Sequence, residues 1–303
     1  MTAAATPLPD GIRPAWRRLD AAERAREYSP SSKAPDFRVI LSDYRVRSHA
    51  ATRRLAPPTI LRYGADAAQR IVLFEPADCA ADVLVVYFHG GYWQELSPDD
   101  SLFPAADFVG RHVAYAAVGY TLAPRATLRQ IVEQAADAAV ALRRFTAVPP
   151  APRMAAPRII IAGSSAGAHL AAMLLTLDWC ARPLGAPPFD GAILLSGIYD
   201  VRPLVGTYIN DALQLDERDA FELSPQYRPL RAPVPVTVCW GEHETDEFRR
   251  QSRNLVGRLA RSGLLCAAGE IPERNHFDLV FDLGAAGTSL DRRIAPLLGC
   301  GKR

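Results

Sequence analysis

Short apolar runs alternate along this chain with stretches in which apolar residues recur every three or four positions. Val83–Phe88, Val113–Val118, Ile159–Ala162, Ala192–Leu195 and Val234–Cys239 are near-continuous apolar runs, the pattern of strands covered on both faces of a parallel sheet. Ile71–Phe74 reads as an antiparallel partner near the edge, and Leu264–Ile271 as the last strand. Leu128, Ile131, Val132, Ala135, Ala139 and Leu142 share one helical face, with Arg129, Glu133, Asp137 and Arg143 on the other. Ala166–Cys180 predicts an apolar helix and Glu247–Arg261 an amphipathic, arginine-rich one, while Ser97-Pro98-Asp99-Asp100 has the composition of a helix start. Strand–helix alternation of this kind specifies an α/β fold with a mostly parallel, doubly wound sheet and helices on both faces. Residues 1–35 lack strand patterning and read as an N-terminal arm with one short helix, Ala15–Glu27, ahead of a single α/β domain over 36–303. The proline-rich stretch 148–157 is expected to be a surface loop inside that domain.

Composition removes several classes of function. Of 303 residues, 49% are hydrophobic and 22% charged, enough apolar material to exclude disorder as the main state. The longest apolar runs fall far short of the roughly 18 residues a membrane span needs. The 35 basic and 33 acidic residues are intermixed and leave a net charge of +2, so no electrostatic footprint for nucleic acid is present. The first ten residues carry neither a basic segment nor an apolar one, unlike a secretory signal. The cysteines, at positions 79, 180, 239, 266 and 300, are far apart and odd in number. The expectation is a reduced, cytoplasmic protein without disulfides, structural metal or cofactor.

The segment Ile159-Ile-Ile-Ala-Gly-Ser-Ser-Ala-Gly167 carries the clearest chemistry. Gly163-Ser164-Ser165-Ala166-Gly167 fits G-x-S-x-G, between a buried strand and an apolar helix. A strand that turns directly into a helix strains its central residue and needs small neighbours two positions away. Ser165 is therefore the candidate nucleophile; Ser164 occupies the intervening position and should point sideways. Upstream, Val85-Val-Tyr-Phe-His-Gly-Gly-Tyr-Trp-Gln94 ends a strand in a glycine loop whose free N–H groups suit a developing oxyanion. Gly91 and Tyr92, with Ala166 just after the nucleophile, are the expected donors, and His89 is expected to fix the loop. A serine hydroxyl needs a base. Of the six histidines, His276 follows the last strand and can reach back over the sheet, whereas His243 sits in the loop that should carry the acid. In that loop, Gly241-Glu-His-Glu-Thr-Asp-Glu-Phe248, Glu244 and Asp246 compete evenly to orient the imidazole.

These residues sit in stretches that resemble the arylformamidases (kynurenine formamidases), a branch of the α/β-hydrolase superfamily close to the hormone-sensitive-lipase-like esterases. The stretches are Tyr28-Ser-Pro-Ser-Ser32, Tyr87-Phe-His-Gly-Gly-Tyr-Trp-Gln94, Tyr120-Thr-Leu-Ala-Pro124, Gly163 to Met173, Ser196-Gly-Ile-Tyr-Asp200, Gly241 to Ser252 and Asn275-His-Phe277. The resemblance implies an α/β-hydrolase fold and a Ser165–Glu244–His276 triad. The acid follows from its offset to Glu247-Phe-Arg-Arg-Gln-Ser252; animal members carry aspartate there. It further implies oxyanion donors at Gly91, Tyr92 and Ala166, no cofactor, and cleavage of an aryl formamide like N-formylkynurenine through a formyl-enzyme. A carboxylesterase or amidase acting on another small ester or amide is the alternative. Trp93, Tyr120, Tyr199 and Phe277 are the expected substrate contacts, with Tyr92 beside them and Trp179 assigned to the core. The arm has two open roles, covering the pocket or assembling a homodimer.

Overall fold

The buried apolar runs come together in a computed structural model that describes residues 15–147 and 156–299. They form one sheet: β1 (Thr59–Arg62), β2 (Arg70–Phe74), β3 (Val83–Phe88), β4 (Ala114–Val118), β5 (Arg158–Ser164), β6 (Gly191–Leu195), β7 (Val236–His243) and β8 (Leu265–Asn275), in the spatial order β1-β2-β4-β3-β5-β6-β7-β8. Strands β3 to β8 run parallel, whereas β1 pairs antiparallel with β2, and β2 with β4. The helices are α1 (Ala21–Glu27), α2 (Phe37–Thr52), α3 (Ala105–Val109), α4 (Leu128–Ala147), α5 (Ala166–Leu174), α6 (Asn210–Leu213), α7 (Glu217–Glu222), α8 (Asp246–Arg261) and α9 (Ser289–Leu298). Alternate side chains of β3 enter opposite layers. Leu84, Val86 and Phe88 pack with residues of α4, α5 and α8, and Val83, Val85 and Tyr87 with residues of α2, α3 and α9.

Ile71–Phe74 pairs antiparallel near the edge, as expected, with the short Thr59–Arg62 outside it. Other elements depart from the expected ones in identifiable ways. The single helix expected over Ala15–Glu27 is two: a 3-10 turn Ala15–Arg18, then α1. Asp20 and Glu23 form a reciprocal capping box, at 2.8 and 2.9 Å, that starts the second helix afresh. Helix α5 stops at Leu174, short of Cys180. The carbonyl of Leu175 accepts instead from the amides of Arg231 and Ala232, at 2.8 and 3.1 Å, on a strand of chain that crosses its end. Ser97-Pro98 opens only a 3-10 turn, Pro98–Ser101, and the Ser97 hydroxyl donates to Asp100 rather than receiving a helix amide. The stretch 148–155 and Cys300 lie outside the described residues. Among the described residues no helix is long and apolar enough to cross a membrane.

Two glycines set how closely α5 meets the sheet. A Cβ on Gly167 would lie 1.9 Å from the Phe88 carbonyl oxygen, and one on Gly163 would lie 2.3 Å from the Gly167 backbone. Gly257, inside α8, has only the far end of Arg261 within reach, at 3.5 Å. Gly167→Ala should therefore cost about 3 kcal/mol through overpacking against backbone, while Gly257→Ala should gain about 0.5–1 kcal/mol of helix propensity. Urea unfolding of the two variants measures both; a neutral Gly167→Ala would mean that α5 can move off the sheet freely.

Candidate active site

The turn from β5 into α5 holds Ser165 at φ 55, ψ −119, a conformation that costs a non-glycine residue on the order of 1–3 kcal/mol. Its amide donates to Leu195 O at 2.9 Å and its carbonyl accepts from the His169 amide at 3.1 Å. The neighbouring Ser164 is buried, and it lines the same cleft together with Tyr87. The Ser165 hydroxyl has no partner among the described residues and opens on a cleft of about 280 Å³.

The glycine loop after β3 passes directly over this turn. A Cβ on Gly90 would come 3.3 Å from that of Ser165, and at Gly91, φ +94, a Cβ would be 2.4 Å from Glu95 O. Tyr92 and Trp93 follow at φ 49 and 61. The amides of Gly91, Tyr92 and Ala166 have no acceptor among the described residues, and Ala166 is the first residue of α5, where N–H groups are left without helical partners. His89 is buried and does not line the cleft. Its ring stacks on Tyr120 at 4.2 Å, and the Tyr120 hydroxyl donates to the His89 carbonyl at 2.8 Å. These contacts hold the loop.

Strand β7 runs on to His243, which places Glu244 at its end and Asp246 in the first turn of α8. The consequences for the two acids are opposite. The Asp246 side chain is 93% exposed, with Arg249 3.9 Å away; there it favours the helix N-terminus. The Glu244 side chain is fully buried, its Oε2 3.3 Å from His276 Nδ1. Its Oε1 accepts from Gly241 N at 2.6 Å and from the Ser196 hydroxyl, so the buried charge is hydrogen-bonded on both oxygens. His243 is exposed. His276 lies edge-on to Phe248, ring centres 4.5 Å apart. Its loop is fixed by Asn275 and Asp278, and by Tyr44 of α2, whose hydroxyl donates to Phe277 O at 2.5 Å.

Ser165, His276, Gly91, Tyr92 and Phe277 all border the one cleft. Trp93, Tyr120 and Tyr199 do not: each is almost completely buried beneath it. Trp93 packs edge-on to His169 at 4.9 Å, Tyr120 lies under His89, and the Tyr199 ring fills the space a Gly197 side chain would take. The expectation that these three touch substrate is thus corrected to buried packing, Trp93 and Tyr120 at the glycine loop and Tyr199 against Gly197. Trp179 is in the core, as expected, with its indole N–H on Leu174 O. The cleft's roof is formed by Pro30 and Ser31 of the arm, which fits the first of its two open roles, and by Phe37, Leu41 and Tyr44 of α2, which were not anticipated. The 3–4 spacing of Phe37, Ile40, Leu41 and Tyr44 was the available signal.

A different group of donors lies elsewhere. Asp78, Cys79 and His112 bring three ligand atoms within 4.8 Å of one another, with Cys79 Sγ 3.0 Å from His112 Nδ1. They precede β3 and β4, at the end of the sheet opposite the cleft, and their separation along the chain hides them from any spacing rule.

The profile of a family described as having the alpha/beta hydrolase fold matches residues 85–278. This chain belongs to that family. It is a hydrolase, and its sequence falls beside the kynurenine formamidases: the one from Danio rerio is 31% identical over 94% of this chain and 98% of its own length. Among solved structures, a protein of Silicibacter sp. tm1040 named as a candidate thioesterase superimposes with a TM-score of 0.79 at 24% identity, covering 90% of this chain and 98% of that one. The carboxylesterase EstE1, cloned from a metagenomic library, gives 0.70 at 20% identity, covering 91% and 98%. Both share the hydrolase's fold.

Burial lowers both His89 and His169 from 6.5 to about 4, so both are neutral in the folded hydrolase near pH 7. The unfolded chain takes up these protons first as pH falls, so stability is full above about 6.5 and is lost as pH drops towards 4. At about pH 5 the loss is about 2 kcal/mol per histidine relative to pH 7. Urea midpoints at the two pH values measure it. His169→Gln, which keeps a donor for Leu223 O, should flatten the dependence; an unaltered slope would remove His169 as its source.

Proposed function

We propose that this hydrolase cleaves aryl formamides of the N-formylkynurenine type to formate and the free arylamine. The observation that carries the reading is the buried Glu244 carboxylate on His276 Nδ1, beside a strained, unpartnered Ser165. With Nδ1–H directed at Glu244, Nε2 is the basic nitrogen. It takes the proton of Ser165 Oγ as that oxygen attacks the formyl carbon. The carbonyl oxygen becomes an anion received by the amides of Gly91, Tyr92 and Ala166. His276 then gives its proton to the departing nitrogen, the C–N bond breaks, and the arylamine leaves a formyl ester on Ser165. Water, deprotonated by the same imidazole, attacks that ester; formate leaves and Ser165 regains its proton.

A formyl group is too small to select on, so selectivity rests with the leaving group. The cleft offers it aromatic rings from Phe37, Tyr44, Tyr92, Phe103, Tyr208 and Phe277. Among the lining residues Glu95 is the one carboxylate, and no lysine or arginine is present. Apolar and ring contacts therefore dominate recognition of the aryl group. The formamidase name of the full-length relative supports this reading over the esterase alternative, which uses the same residues on a short acyl ester.

Comparing kcat/KM over aryl formamides, aliphatic amides and short-chain esters tests the substrate assignment: aryl formamides should lead, and a profile led by esters would replace it. Ser165→Ala should leave only about 10³–10⁴-fold over the uncatalysed rate. Glu244→Gln should lose on the order of 10⁴ in kcat, and Asp246→Asn should stay near wild type. Nearly normal turnover in Glu244→Gln, with Asp246→Asn inactive, would move the acid by two residues. Combining Ser165→Ala with Glu244→Gln should add little to either alone.

A further inference from the structure

The segment that includes Tyr28-Ser-Pro-Ser-Ser32 has no chemistry of its own in the reaction above, yet it joins two parts of the site that are far apart in sequence. Tyr28 is 1% exposed. Its hydroxyl donates to Glu247 Oε2 at 2.6 Å and accepts from Gln251 Nε2 at 3.0 Å, both on α8. Its carbonyl accepts from the hydroxyl of Tyr92, the residue whose amide faces the oxyanion. The residue before it is also fastened to α8: Glu27 O accepts from the Thr245 hydroxyl at 2.6 Å, and the Glu27 carboxylate from the Glu247 amide at 3.2 Å. Thr245 directly follows Glu244. Glu247 is further held by Arg250 at 2.6 and 2.7 Å, and Gln251 Oε1 receives the amides of Tyr199 and Asp200 at 2.6 and 2.8 Å. Each polar group in this buried network has a partner, the condition under which such a network rigidifies its surroundings.

The loop it reaches needs such an anchor. Tyr92 and Trp93 both stand in the left-handed region, where a non-glycine residue persists only when surrounding contacts over-determine it. Trp93 is held by core packing. For Tyr92 the side-chain tether is the hydrogen bond to Tyr28.

We propose that Tyr28 is a positioning residue for hydrolysis: it ties the oxyanion loop, through Tyr92, to the turn that carries Glu244. The proposal rests on the Ser165–His276–Glu244 reading. Tyr28 does not line the cleft, so it acts through Tyr92 and α8 and leaves ground-state binding to other residues.

Tyr28→Phe removes the hydroxyl and keeps the ring and carbonyl; Tyr92→Phe cuts the tether and keeps the amide. With active sites counted by burst titration, kcat should fall about ten- to a hundredfold in each, as expected for a displaced donor. For Tyr28→Phe, KM should stay within about twofold, since uniform binding is untouched. An aryl boronic acid, which forms a tetrahedral adduct on the serine, should lose affinity in parallel with kcat. The double variant should be little worse than the weaker single, because both cut one chain of contacts. A lower melting temperature with wild-type kcat per titrated site and wild-type boronate affinity would reduce Tyr28 to a structural role and overturn the proposal. So would a loss confined to KM. Ser165→Ala run alongside separates the two levels: if it retains activity, the triad reading fails, and if it is dead while both tyrosine variants are normal, only the proposal fails.

Discussion

The backbone of Gly167 passes so close to the carbonyl of Phe88 that no side chain fits between them. Much of the site follows from that contact. Because α5 must start hard against β3, the chain leaving β5 has one residue in which to turn, and Ser165 takes up the strain. Because β3 ends at the same point, the loop that follows it emerges over Ser165, with Gly90 almost touching the serine. Ser165 and the loop amides of Gly91 and Tyr92 are thus set by one backbone approach, made by strands that pair directly in the sheet. This is a general advantage of building a site on strand ends: the scaffold's hydrogen-bond ladder fixes the relative positions before any side chain contributes.

The acid side of the site depends on burial. A carboxylate without water is costly unless its oxygens are hydrogen-bonded. Glu244 meets that condition through Gly241, Ser196 and His276. Ser196, itself at φ 50 at the end of β6, supplies a hydroxyl that neither nucleophile nor base motifs would suggest.

The parts of this architecture visible in the sequence are those with a local physical cause. Continuous apolar runs require a covered parallel sheet, and Gly163-Ser164-Ser165-Ala166-Gly167 between a strand and a helix requires a tight turn. The difference between Glu244 and Asp246 is not local. It depends on where β7 ends and α8 begins, and two residues of boundary separate a fully buried carboxylate from one that is 93% exposed. Aromatic residues next to the glycine loop misled for a related reason. Tyr92 and Trp93 are consecutive, but one borders the cleft and the other is fully buried, and composition says nothing about which way each ring turns. Helix α2 shows its spacing plainly, yet its apolar face is shared between the core, through Ile40, and the cleft, through Phe37 and Leu41. A pattern of buried positions does not distinguish the two.

That division has a further consequence for how the molecule is assembled from shared and particular parts. The region matched by the general hydrolase family, 85–278, contains Ser165, Glu244, His276 and the amides of Gly91, Tyr92 and Ala166. The roof over the cleft comes from Pro30, Ser31, Phe37, Leu41 and Tyr44, all outside it. Attack, charge stabilisation and proton transfer can therefore be common to esterases and amidases of this fold, because they ask the same of the acyl carbon. The cleft wall is shared: Tyr92, Phe103, Tyr208 and Phe277 lie inside the matched region, and Phe37 and Tyr44 outside it. Tyr44 lines the cleft while its hydroxyl holds the carbonyl of Phe277 beside His276. A change at Tyr44 therefore alters the cleft wall and the support of the His276 loop together, because one side chain serves both.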